Sequence, residues 1–192
     1  MTPQLTSTRV ILTAVPIERV DYFDLTGDEL RAVTRFSAEA AQEVLPIVEQ
    51  VHPDDPRPRA AIDAAWTFVN GADRSKLQRV TATDAHRAAR AAATEAARHA
   101  AAAAGDAASA AYLHPFAKAT QVGHILRAAA HAAQAAELVA GDPLVGDQRI
   151  EQARARATPM LVNVLRRYPP APPGRTRVAQ LMTRLDSSLR QE

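Results

Sequence analysis

The sequence contains no cysteine, and aromatic residues make up only 4% of its 192 residues. The absence of cysteine excludes disulfides, thiol catalysis, and zinc or iron–sulfur centres held by cysteine. Much of the hydrophobic content is alanine, so each residue buries little apolar surface. The chain is nevertheless long enough to bury a substantial core. We therefore expect its stability to come from many close contacts between helices.

Signals for export or membrane insertion are also missing. The first ten residues, MTPQLTSTRV, do not show a basic segment followed by an apolar one. No apolar run approaches the roughly 18 residues that are needed to span a bilayer. We therefore expect a soluble, cytoplasmic protein with no membrane partner.

Motifs of common enzyme classes are absent as well. The sequence has no Walker-type phosphate loop, no GxGxxG segment after a strand and no GxSxG nucleophile elbow. Lys76 and Lys118 are the only lysines, which leaves few candidates for a Schiff base. We expect a protein without catalytic residues, enzymatic activity or cofactor.

Alanine dominates the middle of the chain, above all at 88–140. It is the best helix former, because it loses no side-chain entropy in a helix. The composition and the apolar spacing predict an all-α fold, a single compact bundle of about seven closely packed alanine-rich helices. We expect one domain, 1–192. It would comprise a short extended N-terminal segment at 1–27, a helical core at 28–141 and a basic two-helix C-terminal extension at 142–192 with a proline-rich connector.

Glycine and proline predict where individual helices begin and end. Pro46 should kink or end the first helix, and Gly105–Asp106 should break the alanine run. Pro115 should begin a long helix that ends at Gly141. The apolar pattern keeps its helical phase across Pro159, which favours one kinked helix there over two.

Charge is unevenly distributed although the net charge is only +2. Residues 1–55 carry ten acids and four bases, whereas residues 149–192 carry three acids and nine arginines. The two parts could attract each other or present different surfaces to a partner. The C-terminal part also allows the hypothesis of a nucleic-acid accessory protein. Its phosphate-binding surface would consist of Arg154, Arg156, Arg166, Arg167, Arg175, Arg177 and Arg184.

A polar series runs along the alanine-rich segment at His114, Gln121, His124 and His131. Spacings of 7, 3 and 7 residues place these side chains near one seam of a helix. Because His124 and His131 lie roughly 10 Å apart along a straight helix, they cannot hold one metal ion together. We predict no metal site. The histidines either fill gaps and hydrogen-bond between helices or form a seam that binds a partner or ligand.

The segment DDPRPR at 54–59 predicts the start of another helix. Asp55 is a suitable N-cap and Pro56 a suitable first helical residue. Arg57 and Arg59 could pair with carboxylates of the preceding helix or be presented to an acidic partner.

Two stretches together resemble a family of small, alanine-rich, all-helical bacterial proteins labelled putative immunity proteins. They are HPDDPRPRAAIDAAWTFVNG at 52–71 and AAYLHPFAKATQVGHILRAAAHAAQAAEL at 110–138. The resemblance covers roughly 28–140, and the C-terminal tail is similar to that of one subgroup. It implies a protein that neutralises a cognate toxin by binding, without catalysis. The partner surface would include Arg57, Arg59, His114, Gln121, His124 and His131.

Other functions remain open at this point. A small-ligand-binding module could seat its ligand between alanine-lined helices near Trp66, Tyr112 and His124, and a deep closed pocket in the structure would favour it. Binding to nucleic acid is the less favoured alternative, because the acidic N-terminal part offers the arginines an internal partner. The oligomeric state stays open, with a homodimer as one option.

Overall fold

The computed structural model describes residues 22–191 of the chain. Within that range it contains eight α-helices, one short 3-10 helix and no β-strand, which confirms the predicted all-α fold. The helices are α1 Gly27–Val51, α2 Arg57–Val69, α3 Lys76–Ala91, α4 Glu95–Ala110, α5 Val122–Ala140, α6 Pro143–Arg156, α7 Pro159–Leu165 and α8 Arg177–Arg190, with the 3-10 turn Ala119–Gln121 before α5.

The expected extended N-terminal segment, 1–27, lies almost entirely outside the described residues. Just before α1, Tyr22 and Phe116 form an isolated antiparallel bridge. None of the described helices is both long enough and apolar enough to cross a membrane.

Local capping explains where several helices start and stop. Thr26 and Glu29 form a capping box at the start of α1, in which each side chain accepts a hydrogen bond from the other residue's backbone N–H. Asp142 caps α6 by accepting from the N–H of Leu144. Gly141, at φ 65°, ends α5 in the left-handed conformation, as the sequence predicts.

The predicted break at Gly105–Asp106 is wrong. Helix α4 continues through both residues to Ala110, and both are buried. The chain instead leaves the helix after Ala91, and Thr94 caps α4 by accepting from the N–H of Ala97. The aspartate is accommodated inside the helix because neighbouring helices supply partners for its carboxylate, which local sequence rules do not register.

Helix α1 continues past Pro46 to Val51, so this proline does not end the helix. Two other proline-based expectations need correction. The region around Pro159 forms two helices, because Ala157 is extended and Thr158 caps α7 through the N–H of Leu161. The helix expected to begin at Pro115 begins only at 119–122, after a loop.

Helix α4 lies at the centre of the bundle. It packs against α1, α2, α3 and α5, and most of its residues are buried, including Ala100, Ala101 and Ala104 at 0% exposure. Because a methyl group is all that these positions carry, neighbouring helices approach α4 closely. Larger core side chains are contributed by other helices, such as Leu181 and Leu185 of α8.

The acidic and basic parts of the chain pair with each other. Glu43 of α1 pairs with both Arg149 and Arg156 of α6, and Glu29 pairs with Arg167. These contacts use carboxylates from the N-terminal part to hold the C-terminal part against α1. They also occupy arginines that the nucleic-acid hypothesis needed.

Helix α4 has no room for larger side chains. We predict that Ala104→Leu lowers the free energy of unfolding by about 1–3 kcal/mol, because the added atoms must displace closely packed helices. As a matched control, Ala91→Leu at an exposed position at the end of α3 should change it by less than about 0.5 kcal/mol. Urea denaturation of both variants measures the difference, and equal effects would contradict the central position of α4.

Candidate functional site

A cleft of about 420 Å³ opens between α3 on one side and the end of α4 and start of α5 on the other. Its walls carry two guanidinium groups, three imidazoles and three hydroxyl groups. None of the nine residues that line it carries a carboxylate. They are Arg79, Ala82, Thr83, His86, Ser109, Tyr112, His114, His124 and Arg127.

Helical spacing brings the lining residues of α3 to one side. Arg79, Thr83 and His86 lie at positions i, i+4 and i+7 of that helix, so they face the same direction. His124 and Arg127 are three residues apart on α5 and share a face in the same way.

The loop after α4 supplies Tyr112 and His114 and is tied down at several points. The Tyr112 hydroxyl donates a 2.6 Å hydrogen bond to the carbonyl of Ser75, at the start of α3. The N–H of His114 donates to Oε1 of Gln121, and its carbonyl accepts from the Tyr168 hydroxyl. The loop therefore holds these two rings in place beside α3.

A buried carboxylate, that of Asp106, lies next to the cleft residues. Its side chain is only 1% exposed and accepts hydrogen bonds from Nε and Nη2 of Arg127 at 3.0 and 2.7 Å. Nε2 of His86 lies 3.5 Å away, and Nε2 of His131 lies 3.8 Å away. Burial alone would raise the pKa of this carboxyl, but the bonds from His86 and Arg127 outweigh it and hold the pKa at about 2.

Gly105 makes room for His86. A Cβ atom at this position of α4 would lie 2.9 Å from Cδ2, Cε1 and Nε2 of the His86 ring. A glycine in the middle of an alanine helix weakens the helix by about 1 kcal/mol relative to alanine. Here the missing methyl group lets the imidazole lie against α4 and approach Asp106.

His131 pairs with His99 at the interface of α4 and α5. Their Nδ1 atoms are 2.7 Å apart, so one nitrogen donates and the other accepts. Nη2 of Arg98 lies 3.0 Å from the other ring nitrogen of His99. Burial is the main effect that lowers the pKa of His131, to about 4, and it also lowers the pKa of His99. Both rings are therefore neutral at neutral pH.

The structure separates the predicted site residues into three groups. His114 and His124 line the cleft. His131 is mostly buried between helices, and Gln121 is buried while it holds the loop. The predicted seam of four side chains is therefore divided between an open cleft and the interior.

Arg57 and Arg59 form the third group, at the start of α2 and outside the cleft. Arg57 makes two hydrogen bonds to Asp55, at 2.8 and 2.7 Å. Arg59 makes two to Glu49 of α1, at 2.7 and 2.8 Å. Asp55 accepts from the N–H of Arg57, although the helix begins one residue later than predicted. The pairing of Arg59 with a carboxylate of the preceding helix is one of the two arrangements expected from the sequence.

Sequence reasoning missed several cleft residues, among them Arg79, His86 and Arg127, and the neighbouring Asp106. One signal was available for Asp106, because it is an isolated acid within the long alanine run. No comparable signal marked Arg79 or His86, which become neighbours of α4 and α5 only in the folded chain. Within residues 22–191, no cluster of three or more histidines and carboxylates is arranged to hold a metal ion.

Residues 25–160 match the model of a protein family described as Imm-5 like putative immunity protein. The matched stretch begins just before α1, ends in α7 and contains every residue of the cleft. Searches among curated proteins and among solved structures found no significant match.

The contact between Gly105 and His86 can be tested with a double-mutant cycle. In a His86→Ala background, we predict that Gly105→Ala stabilises the fold by about 1 kcal/mol, the usual gain from alanine in a helix. With His86 present, the new methyl group displaces the ring from Asp106, so the gain should be absent or reversed. Urea denaturation measures all four proteins. The same gain in both backgrounds would show that Gly105 is not needed to make room for the His86 ring.

Stability should fall as the pH drops from 6.5 to 4. In this window the unfolded chain protonates His131, while the folded chain keeps it neutral because its pKa is lowered to about 4. Above pH 6.5, neutral His131 contributes its full amount, about 3 kcal/mol, to the free energy of unfolding, and this contribution is lost by pH 4. The lowered pKa values of His99 and His124 act in the same direction.

We predict that His131→Gln makes the plot of unfolding free energy against pH less steep over this window. The slope is the readout, because the substitution can also change stability at every pH. Chemical denaturation at several pH values provides the measurement, and an unchanged slope would show that His131 does not titrate as described.

Proposed function

Since the chain belongs to the Imm-5 like putative immunity protein family, we propose that it binds a cognate bacterial toxin and neutralises it without chemistry of its own. We place this action in the cytoplasm. The family membership supports the class of function, and the exposed face of α3 supports a particular surface.

The outer face of α3 combines positive charge with exposed apolar side chains. Four exposed bases on this helix outnumber its single acid, Asp84, which pairs with Arg87 at 2.7 Å. Leu77 and Val80 are 46% and 52% exposed, although large aliphatic side chains are usually buried. The four bases are Lys76, Arg79, Arg87 and Arg90. An apolar centre with charged surroundings is typical of protein interfaces.

Two groups of residues predicted to bind the partner lie near opposite ends of α3. The loop with His114 is fixed to the start of α3 through the hydrogen bond from Tyr112 to Ser75. At the other end, the N–H of Ala93, just after α3, donates a 3.0 Å hydrogen bond to Nε2 of His52, in the segment that leads to Arg57. Arg57 therefore lies near the second half of α3.

An interface of ordinary size is large enough to cover both ends of α3. Helix α3 has 16 residues and is about 24 Å long. A standard interface covers about 800 Å² per partner, which corresponds to a patch roughly 30 Å across. We propose the α3 face, with His114 and Arg57 at its ends, as the toxin-binding surface. Its positive charge favours fast association with an acidic toxin surface.

A second candidate function is supported by the cleft. The small-ligand hypothesis expected a site near Trp66, Tyr112 and His124, and two of these residues line the cleft. Trp66 does not, because its Nε1 donates to Gln42 of α1 at 2.7 Å. With that correction, a cleft of this volume supports a binding module for a small ligand.

Binding to nucleic acid receives less support from the contacts. Arg177 pairs with Glu137 and Asp147, and Arg184 pairs with Asp147 and Glu151. Together with the pairs on α1 and the pair of Arg154 with Glu151, they engage five of the seven arginines that the hypothesis assigned to phosphate.

Toxin neutralisation can be tested in a laboratory bacterium. Each gene beside the gene for this protein is expressed alone from an inducible promoter and then together with it. We predict that at least one neighbouring product stops growth and that the wild-type protein restores it. The proposal is wrong if no neighbouring product inhibits growth, or if the wild-type protein gives no relief.

The binding surface is tested by a matched pair of variants in the same assay. Leu77→Glu places a charge in the apolar centre of the α3 face and should abolish rescue. Leu144→Glu, at a 63% exposed position on α6, makes the same change elsewhere and should rescue like the wild type. Full rescue by Leu77→Glu, equal to that by Leu144→Glu, would place the toxin on another surface.

A further inference from the structure

We propose that the cleft between α3 and α5 binds the phosphate group of a small phosphate monoester. This inference rests on the second of the two proposed functions, that of a small-ligand-binding module. It is supported by two observations: several hydrogen-bond donors reach the cleft, and the protein itself leaves some of them unused.

The guanidinium group of Arg79 is available to a ligand. It lies 4.6 Å from the centre of the Tyr112 ring, which fixes its position by a cation–π contact. Within residues 22–191 it has no carboxylate partner and no hydrogen bond to a side chain or carbonyl. A fixed arginine without an acidic partner is suited to bind an anion.

Arg127 offers a second donor from the opposite wall. Its Nε and Nη2 are held by Asp106, which orients the planar group. Its Nη1 forms no hydrogen bond with any residue in the described part of the chain. The carboxylate thus positions the arginine while leaving one edge of it unused.

The imidazoles supply the remaining hydrogen-bond donors to a ligand, because the hydroxyl groups already donate within the protein. The Ser109 hydroxyl donates to the carbonyl of Asp106, and the Thr83 hydroxyl donates to that of Arg79. Nδ1 of His124 lies 3.5 Å from the Ser109 hydroxyl, at the outer limit of a hydrogen bond, so this contact does not fix the tautomer and Nε2 can carry the proton and donate to a ligand. His114 is exposed and stacks on Phe116.

The number and origin of these donors favour phosphate over carboxylate. Arg79 belongs to α3, Arg127 and His124 to α5, and His114 to the loop before it. A phosphate monoester has three acceptor oxygens and a charge near −2, so it can bridge donors from three directions. A carboxylate has only two oxygens in one plane and a single charge.

The size of the cleft favours an organic phosphate over the free ion. A volume of about 420 Å³ lies within the range of small-molecule sites and is much more than a phosphate ion fills. The Tyr112 ring and the methyl group of Ala82 provide apolar surface within the same cleft.

The test uses the purified wild-type protein and needs no toxin. Phenyl phosphate, inorganic phosphate and phenylacetate are titrated separately, and binding is followed by NMR shifts of the His114 and His124 side chains. We expect saturable shifts with phenyl phosphate at millimolar concentration. Its affinity should be at least about tenfold higher than that of either other probe, because only phenyl phosphate combines the phosphate with an organic group.

Matched arginine variants distinguish the cleft from general attraction to a basic surface. Arg79→Ala should weaken the binding of phenyl phosphate about tenfold or more, since it removes a charged hydrogen-bond donor. Arg87→Ala, at an exposed position on the same helix but outside the cleft, should change it less than about twofold. Both residues are exposed, so neither variant should unfold the protein.

Several results would overturn the inference. Absence of saturable shifts would mean that there is no anion site. If inorganic phosphate bound equally well, the organic group would not contribute to binding. If phenylacetate bound equally well, the cleft would not be selective for phosphate. Equal losses in Arg79→Ala and Arg87→Ala would indicate unspecific attraction. Leu77→Glu should leave the affinity for phenyl phosphate unchanged, so the outcome is independent of the toxin assay.

Discussion

The close packing of α4 among four other helices is the constraint on which the rest of the structure depends. Alanine at positions such as Ala100, Ala101 and Ala104 allows that packing, because each adds only a methyl group to the helix surface. The packing also brings α3 and α5 to either side of the end of α4, where the cleft opens. A bundle with larger side chains at these positions would hold those helices further apart.

The same packing creates an electrostatic problem at Asp106, which lies inside the bundle. A buried carboxylate is strongly unfavourable unless cations and hydrogen bonds compensate for the lost water. Arg127 and His86 supply this compensation from two different helices, and Gly105 gives His86 the space to do so. One buried charge therefore fixes the positions of side chains on both walls of the cleft.

The two proposed functions share Arg79 on α3 and the loop with His114, but otherwise use different parts of α3. The outward face, with Leu77 and Val80, has the apolar and basic character of a protein-binding surface. The inward edge, with Arg79 and His86, contributes to a cleft whose unused donors suit an anion. The family membership bears on the first function, and the geometry of the cleft bears on the second.

Much of the fold could be predicted from the sequence because helix formation and termination are mainly local. Alanine propensity predicts the helices, and the left-handed Gly141 ends α5 as expected. The predicted break at Gly105–Asp106 was wrong because the burial of Asp106 depends on contacts that are not local. The partners of its carboxylate come from α3 and α5, which are distant in sequence. The sequence by itself determined the helical class and the alanine-lined contacts. Only the tertiary structure decided which histidines are buried and which face the cleft, because that depends on how separate helices meet.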